Sequence, residues 1–291
     1  MKWAALFRVA RIGAWVAAAA LQTSCAGAVG STGIEDKARR DVPIAICRRP
    51  LNTNDTSEGG APQPEIYWKT LFPKFRGFGA AMDTGIPDCV GEPILVTPAA
   101  GSASSSAISK DDLTTSPGED GLQAVWLRAS TSDSVAFGPL ALLRSRPSEL
   151  DVYAIGLYRG SARHSRFDFG KLGSTMILSA RDESCADAKP ATECESMLSF
   201  YLLSGGRLSA AGKTTVQRIQ FGTMKDIGRI QARLTTEPPV FDGESIKLKE
   251  KLSIRDSGED EVRRSEGERV FTLRGTELVA NKDSIWAQVA H

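Results

Sequence analysis

The chain has 291 residues, 36 Lys and Arg against 35 Asp and Glu, a formal charge of +1 and 41% hydrophobic residues. A balance this near neutral offers no basic footprint for nucleic acid, and a chain of this length can bury a substantial core as one large all-β domain or two smaller ones. The five cysteines form no C-x-x-C pair and the only histidines are His164 and His291, which argues against a zinc site.

Lys2, Arg8 and Arg11 lead into an apolar run from Ile12 to Leu21 that stops at Gln22-Thr23-Ser24-Cys25. A positive start, an apolar run too short to span a bilayer and a small-residue exit make residues 1–24 a secretory signal peptide. Removing them takes three bases and no acid, which turns the formal +1 into −2. No later apolar stretch is long enough to cross a membrane.

The segment Leu21-Gln-Thr-Ser-Cys25-Ala resembles the lipobox of bacterial lipoproteins, in which small residues precede a cysteine that is lipidated on sulfur. The resemblance implies acylation of Cys25, attachment to a membrane through the lipid, and residence at the outer membrane or its periplasmic face. The family usually has Leu three positions before the cysteine; here that position is Gln22, with Leu21 one further back. A second exit stays open, ordinary cleavage after the A-x-A site Ala26-Gly27-Ala28.

Either route leaves Cys47, Cys89, Cys185 and Cys194, an even set that in an oxidising compartment suggests two disulfides. Cys185 and Cys194 close a short polar loop, which favours Cys185–Cys194 and hence Cys47–Cys89. The other two connectivities remain open.

Along the mature chain, residues 25–42 begin with Ala26-Gly-Ala-Val-Gly-Ser-Thr-Gly33 and read as a flexible tether. Residues 43–96 form an N-terminal portion of the body. It contains one helix signal, Pro64 to Phe72, with a proline at its start and Pro73 stopping it. Residues 97–120 are rich in Ala, Ser, Gly and Pro and read as a mobile surface loop. The main body, 121–291, carries strand signals at 124–127, 152–158, 175–178 and 228–234. Two apolar runs with glycine turns, 200–208 and 271–278, read as hairpins followed by further β-prone runs at 215–221 and 285–289.

The clearest strand is 246–254. Ile246, Leu248, Leu252 and Ile254 share one face, Lys247, Lys249, Lys251 and Ser253 the other, and Glu250 falls on the apolar side. The lysine row is either an anion-docking surface or, as such rows more often are, a solvated strand face.

Three further motifs carry a suggestion of chemistry. Gly206 to Thr214 resembles a phosphate-binding P-loop, but five residues separate its glycines where the motif has four, and a β-prone run follows. Asp83-Thr84-Gly85 and Asp256-Ser257-Gly258 resemble the Asp-Thr/Ser-Gly motif of aspartic proteases, whose paired aspartates share a proton and activate water. That resemblance implies a secreted hydrolase using Asp83 and Asp256. The sequence departs from the family where Arg255 precedes Asp256 and Glu259-Asp-Glu261 follows it, the composition of a solvated turn. A serine hydrolase has less support, since there is no Gly-x-Ser-x-Gly and His164 lies in a basic polar segment.

The expectation is a mainly β protein, an antiparallel meander or sandwich-like body with few short helices, behind a signal peptide and tether. Its expected role is a non-catalytic binding or structural one in the bacterial cell envelope, lipid-anchored, with an envelope protein as possible partner. No cofactor or metal is expected, and no ligand is named. The alternative is the aspartic hydrolase.

Overall fold

The structure, a computed structural model, describes residues 44–58, 60–79, 86–94, 107–132, 134–187 and 192–289. The first strands are β1 (Cys47–Pro50), β2 (Ile86–Pro87), β3 (Pro93–Ile94), β4 (Leu113–Pro117), β5 (Leu122–Leu127), β6 (Ser130–Ser132), β7 (Val135–Arg146) and β8 (Glu149–Ser161). They are followed by β9 (Ser165–Leu172), β10 (Thr175–Asp182), β11 (Cys194–Ser204), β12 (Arg207–Met224) and β13 (Gly228–Thr236). The last are β14 (Val240–Phe241), β15 (Ser245–Asp256), β16 (Glu261–Arg274) and β17 (Glu277–Ala280). The only α-helix among the described residues is α1, Pro64–Leu71. The fold is therefore mainly β and mostly antiparallel, as its alternating strands and glycine turns require.

Strands β4-β5-β7-β8 make a first sheet, with β1 added along β8. Strands β9-β10-β11-β12 make a second, and β12 runs on to carry β13-β15-β16-β17. The two sheets join on one side only, through a single parallel pairing of Arg207 in β12 with Ile155 in β8. On the other side β4 pairs only with β5 among the strands, and β9 only with β10, so that seam is not closed by a ladder.

Three apolar layers explain which residues the chain needs where. Ile66, Trp68 and Leu71 of α1 pack on Val125, Leu127, Ala141, Leu143 and Val152, one face of the first sheet. Its other face presents Trp126, Leu140, Leu142 and Tyr158 to Phe167, Leu178 and Tyr201 of the second sheet. That sheet turns Ile177, Phe200 and Val216 toward Ile246, Leu248, Phe271 and Leu278. Strands buried on both faces lose the two-residue alternation. This is why β5 and β7 read as near-continuous apolar runs.

Cys47 and Cys89 stand at disulfide distance, with Cα atoms 6.2 Å apart, and so do Cys185 and Cys194, at 5.3 Å. The first pair ties β1 to the segment of β2 and β3. Beside it the buried Asp88 carboxylate accepts from the backbone of Val90 and Glu92 and from Arg207 Nη1.

Several boundaries differ from the reading above. Residues 113–117, inside the stretch read as a loop, pair with β5, because Leu113 and its neighbours cover the edge of the first sheet. Within the N-terminal portion, 43–96, β1 pairs with β8 and α1 packs on the same first sheet. The run 285–289 is a 3-10 turn rather than a strand, since Ser284 Oγ accepts from Trp286 N and Ile285 N donates to Glu250.

Candidate functional site

The open seam carries a well-formed concavity. A cleft of about 550 Å³ lies over it, walled by Leu122 of β5, Phe169 of β9, Met176 of β10 and the segment Pro239-Val240-Phe241. Its size falls in the range of small-ligand sites. Glu119, Asp120 and Lys171 stand at its rim, with Lys171 Nζ 3.8 Å from Glu119 Oε2 across the seam.

Two glycines bring the aromatic walls in. A Cβ on Gly118 would stand 2.7 Å from the Phe169 ring, and one on Gly170 only 2.3 Å from the Phe241 ring, so both rings lie directly on bare backbone. Phe169 reaches the cleft because β9 alternates outward Arg166 and Asp168 with inward Phe167 and Phe169.

The wall 237–243 is a strap between β13 and β15, and the lysine row holds it there. Lys251 Nζ lies 3.0 Å from Glu237 Oε1, Lys249 Nζ 3.8 Å from Glu237 Oε2, and Lys247 Nζ 2.8 Å from Asp242 Oδ2. Asp242 Oδ1 also accepts from Ser245 N and Ser245 Oγ, which fixes the turn into β15. These contacts hold the Asp242 carboxyl well below the usual carboxylate range, first through Lys247 and then through Ser245. The Glu237 carboxyl is lowered by Lys251 and then Lys249, and Asp242 raises Lys247. At its far end the strap meets β9, where Gly173 N donates to the Gly243 carbonyl. The lysine row is thus a solvated strand face whose charges are engaged by the strap.

The carboxylate that interrupts the alternation, Glu250, is buried and fully occupied. Its Oε1 lies 2.6 Å from Arg269 Nη2 and accepts from Ser284 Oγ at 2.9 Å, while Oε2 accepts from Ile285 N at 2.9 Å. Arg269 also donates to Thr214 Oγ1 at 2.6 Å. The group clasps the turn Ile285–Gln288 onto the sheet, and none of its residues lines the cleft.

Asp256 caps the hairpin between β15 and β16. Its Oδ1 accepts from Gly258 N at 2.8 Å and Asp260 N at 3.0 Å. Asp83, Cys25 and His291 lie outside the described residues. Residues 206–214, the P-loop-like stretch, are a glycine turn and the start of β12, with no helix N-terminus to hold phosphate. His164 sits in the turn from β8 to β9, its N–H donating to Ser161 Oγ. Among the described residues no group of three or more His, Cys, Asp or Glu is placed to hold a metal, and no helix is long and apolar enough to cross a membrane.

The cleft was not legible in the sequence, because its walls come from four separate segments. The hints that existed were the Phe167/Phe169 alternation between charged residues and the apolar run Pro238-Pro239-Val240-Phe241 set between Glu237 and Asp242. Chemically, a lining of Leu, Phe, Met, Val and Pro with charge only at the rim suits the holding of an apolar group. No protein-family model, no curated protein and no solved structure matches this chain.

Proposed function

We propose that this chain is an exported lipoprotein, tethered through an acyl group on Cys25, whose β-rich body serves the bacterial cell envelope as a binding module. The ligand is an apolar group, an acyl chain or a comparably apolar side of a small molecule, seated in the cleft over the open seam. The single observation that carries the binding role is that cleft, about 550 Å³ with walls formed by Leu122, Phe169, Met176, Val240 and Phe241. Export draws support from the four cysteines beyond Cys25, all at disulfide distance in two pairs.

The test is native mass spectrometry of the membrane-extracted protein after metabolic labelling with a fatty-acid analogue. The expected spectrum shows a labelled N-terminal Cys25 and, in addition, a noncovalent apolar adduct that is lost in Phe241→Asp. An unlabelled protein beginning at Val29 refutes the tether. A labelled protein whose adducts are identical in the wild type and in Phe241→Asp refutes the cleft.

A further inference from the structure

On the solvent face of the sheet, outside the lining of the cleft, the ladder gathers several cations around one hydroxyl. Arg233 of β13, Ser253 of β15 and Arg264 of β16 are directly opposite one another across three adjacent strands. Along β15, Lys251 and Arg255 flank Ser253 two residues to either side, which puts them on the same face. Four cations thus surround one hydroxyl, and the side chains enclose a depression of about 270 Å³. The neighbouring rows are mixed, Thr235–Lys251–Glu266 and Gln231–Arg255–Glu261.

Two of the four cations are already engaged. Lys251 meets Glu237 at 3.0 Å, and Arg264 meets Glu266 at 2.9 Å. Arg233 and Arg255 are exposed and form no ion pair among the described residues, although Glu261 stands opposite Arg255 and also lines the depression. Arg233 and Arg264 face Ser253 rather than each other, so an anion seated over Ser253 stands between two guanidinium groups and is drawn by both. Strands lie about 4.8 Å apart, so Arg233 and Arg264, on the strands either side of Ser253, start roughly 10 Å from each other. Their long side chains can close over one small anion between them. Guanidinium groups match the oxygens of a tetrahedral anion two at a time, and the Ser253 hydroxyl stands below as a further donor.

We infer that this face carries an oxyanion site, formed by Arg233, Ser253, Arg255 and Arg264, that takes a phosphate monoester. Such a group reaches an envelope protein either on a soluble phosphorylated molecule or on a lipid headgroup, and the site reads the phosphate common to both. This site is independent of the apolar cleft.

The test titrates inorganic phosphate into the full chain carrying Cys25→Ser, at low ionic strength, by phosphorus NMR or calorimetry. One saturable site is expected. Arg233→Gln and Arg255→Gln each weaken it about tenfold, the equivalent of ~1.4 kcal/mol, while Lys249→Gln on the same strand face leaves it within about twofold. Ser253→Asp, which adds a carboxylate at the centre, abolishes it. All four variants are at solvent-facing positions, and their melting temperatures are read alongside. A second arm compares sedimentation with phosphatidylcholine vesicles and with vesicles containing phosphatidic acid. Binding to phosphatidic acid that Arg233→Gln and Arg255→Gln remove assigns the lipid source; phosphate binding without vesicle binding assigns the soluble one. Absence of saturable phosphate binding, or equal weakening by Lys249→Gln and the arginine variants, overturns the inference.

Discussion

Glu250→Ala removes the buried carboxylate from the apolar side of β15. Glu250 is 1% exposed and Arg269 7%, so the pair is shielded from water. Alanine removes the acceptor of three donors at once: Arg269 Nη2 at 2.6 Å, Ser284 Oγ at 2.9 Å and Ile285 N at 2.9 Å. Breaking a buried ion pair from one side costs about 3–5 kcal/mol, chiefly because the remaining charge is left unpaired. Arg269 keeps Thr214 Oγ1 and the face of the Phe271 ring, neither of which can neutralise it. The double variant Glu250→Leu with Arg269→Met removes both charges. It should recover part of the loss, leaving the Ile285 amide without its acceptor, about 1–3 kcal/mol, and the Ser284 and Thr214 hydroxyls without these partners. Urea unfolding followed by intrinsic fluorescence measures both, with Trp286 of the clasped turn as a local reporter. A loss below about 1 kcal/mol in Glu250→Ala, or a double variant no more stable than the single one, refutes the clasp.

Leu248→Ala should cost about 2–4 kcal/mol, since Leu248 is fully buried in the third apolar layer, whereas Lys249→Ala should stay within about 0.5 kcal/mol; equal costs in chemical denaturation contradict the assigned faces. Peptide mapping without reductant should recover Cys47–Cys89 and Cys185–Cys194 peptides, and losing the first pair, which spans 42 residues, should cost ~3–4 kcal/mol in the loop-entropy model. Four alkylatable thiols in the native protein contradict it. The strap predicts a pH dependence: the Asp242 and Glu237 carboxyls are both lowered by their lysines, so they bind protons less readily folded than unfolded. Their contribution is complete above the ordinary carboxylate range and is lost as pH falls through the lowered values. Proteolysis or amide exchange of residues 238–244, corrected for intrinsic pH effects, should therefore rise in acid, and Lys247→Gln should produce the same rise near neutrality. Equal protection at both pH values refutes the tether.

What the sequence made legible follows from burial. Strand β15 was plain because only one of its faces is buried, so alternation survives; Glu250 stood out as the one misfit, and it is the buried ion pair. Strands β5 and β7 are apolar on both faces, which leaves no period to read, and β7 went unrecognised. The first half of β16, Glu261 to Glu268, is charged on both faces and becomes a strand only by pairing with β15. The lysine row looked like a surface feature because its counter-ions, Glu237 and Asp242, come from a connection whose path is set by tertiary structure. The same holds for the cleft, where Gly118 and Gly170 matter through rings that approach from distant segments. Cysteine pairing was legible from parity and spacing. Ile285–Gln288 was misread because its β-prone composition is overridden by the Ser284 cap and the Glu250 acceptor.

A fluorescence titration with an apolar naphthalene dye shows whether the seam cleft binds an apolar group. The wild-type chain should show one saturable site. Phe241→Asp, in the wall of the cleft, should weaken it at least about tenfold. Val279→Asp, at an exposed apolar position on β17, should leave it unchanged. Equal affinity in the two variants, or dye uptake that never saturates, contradicts the account.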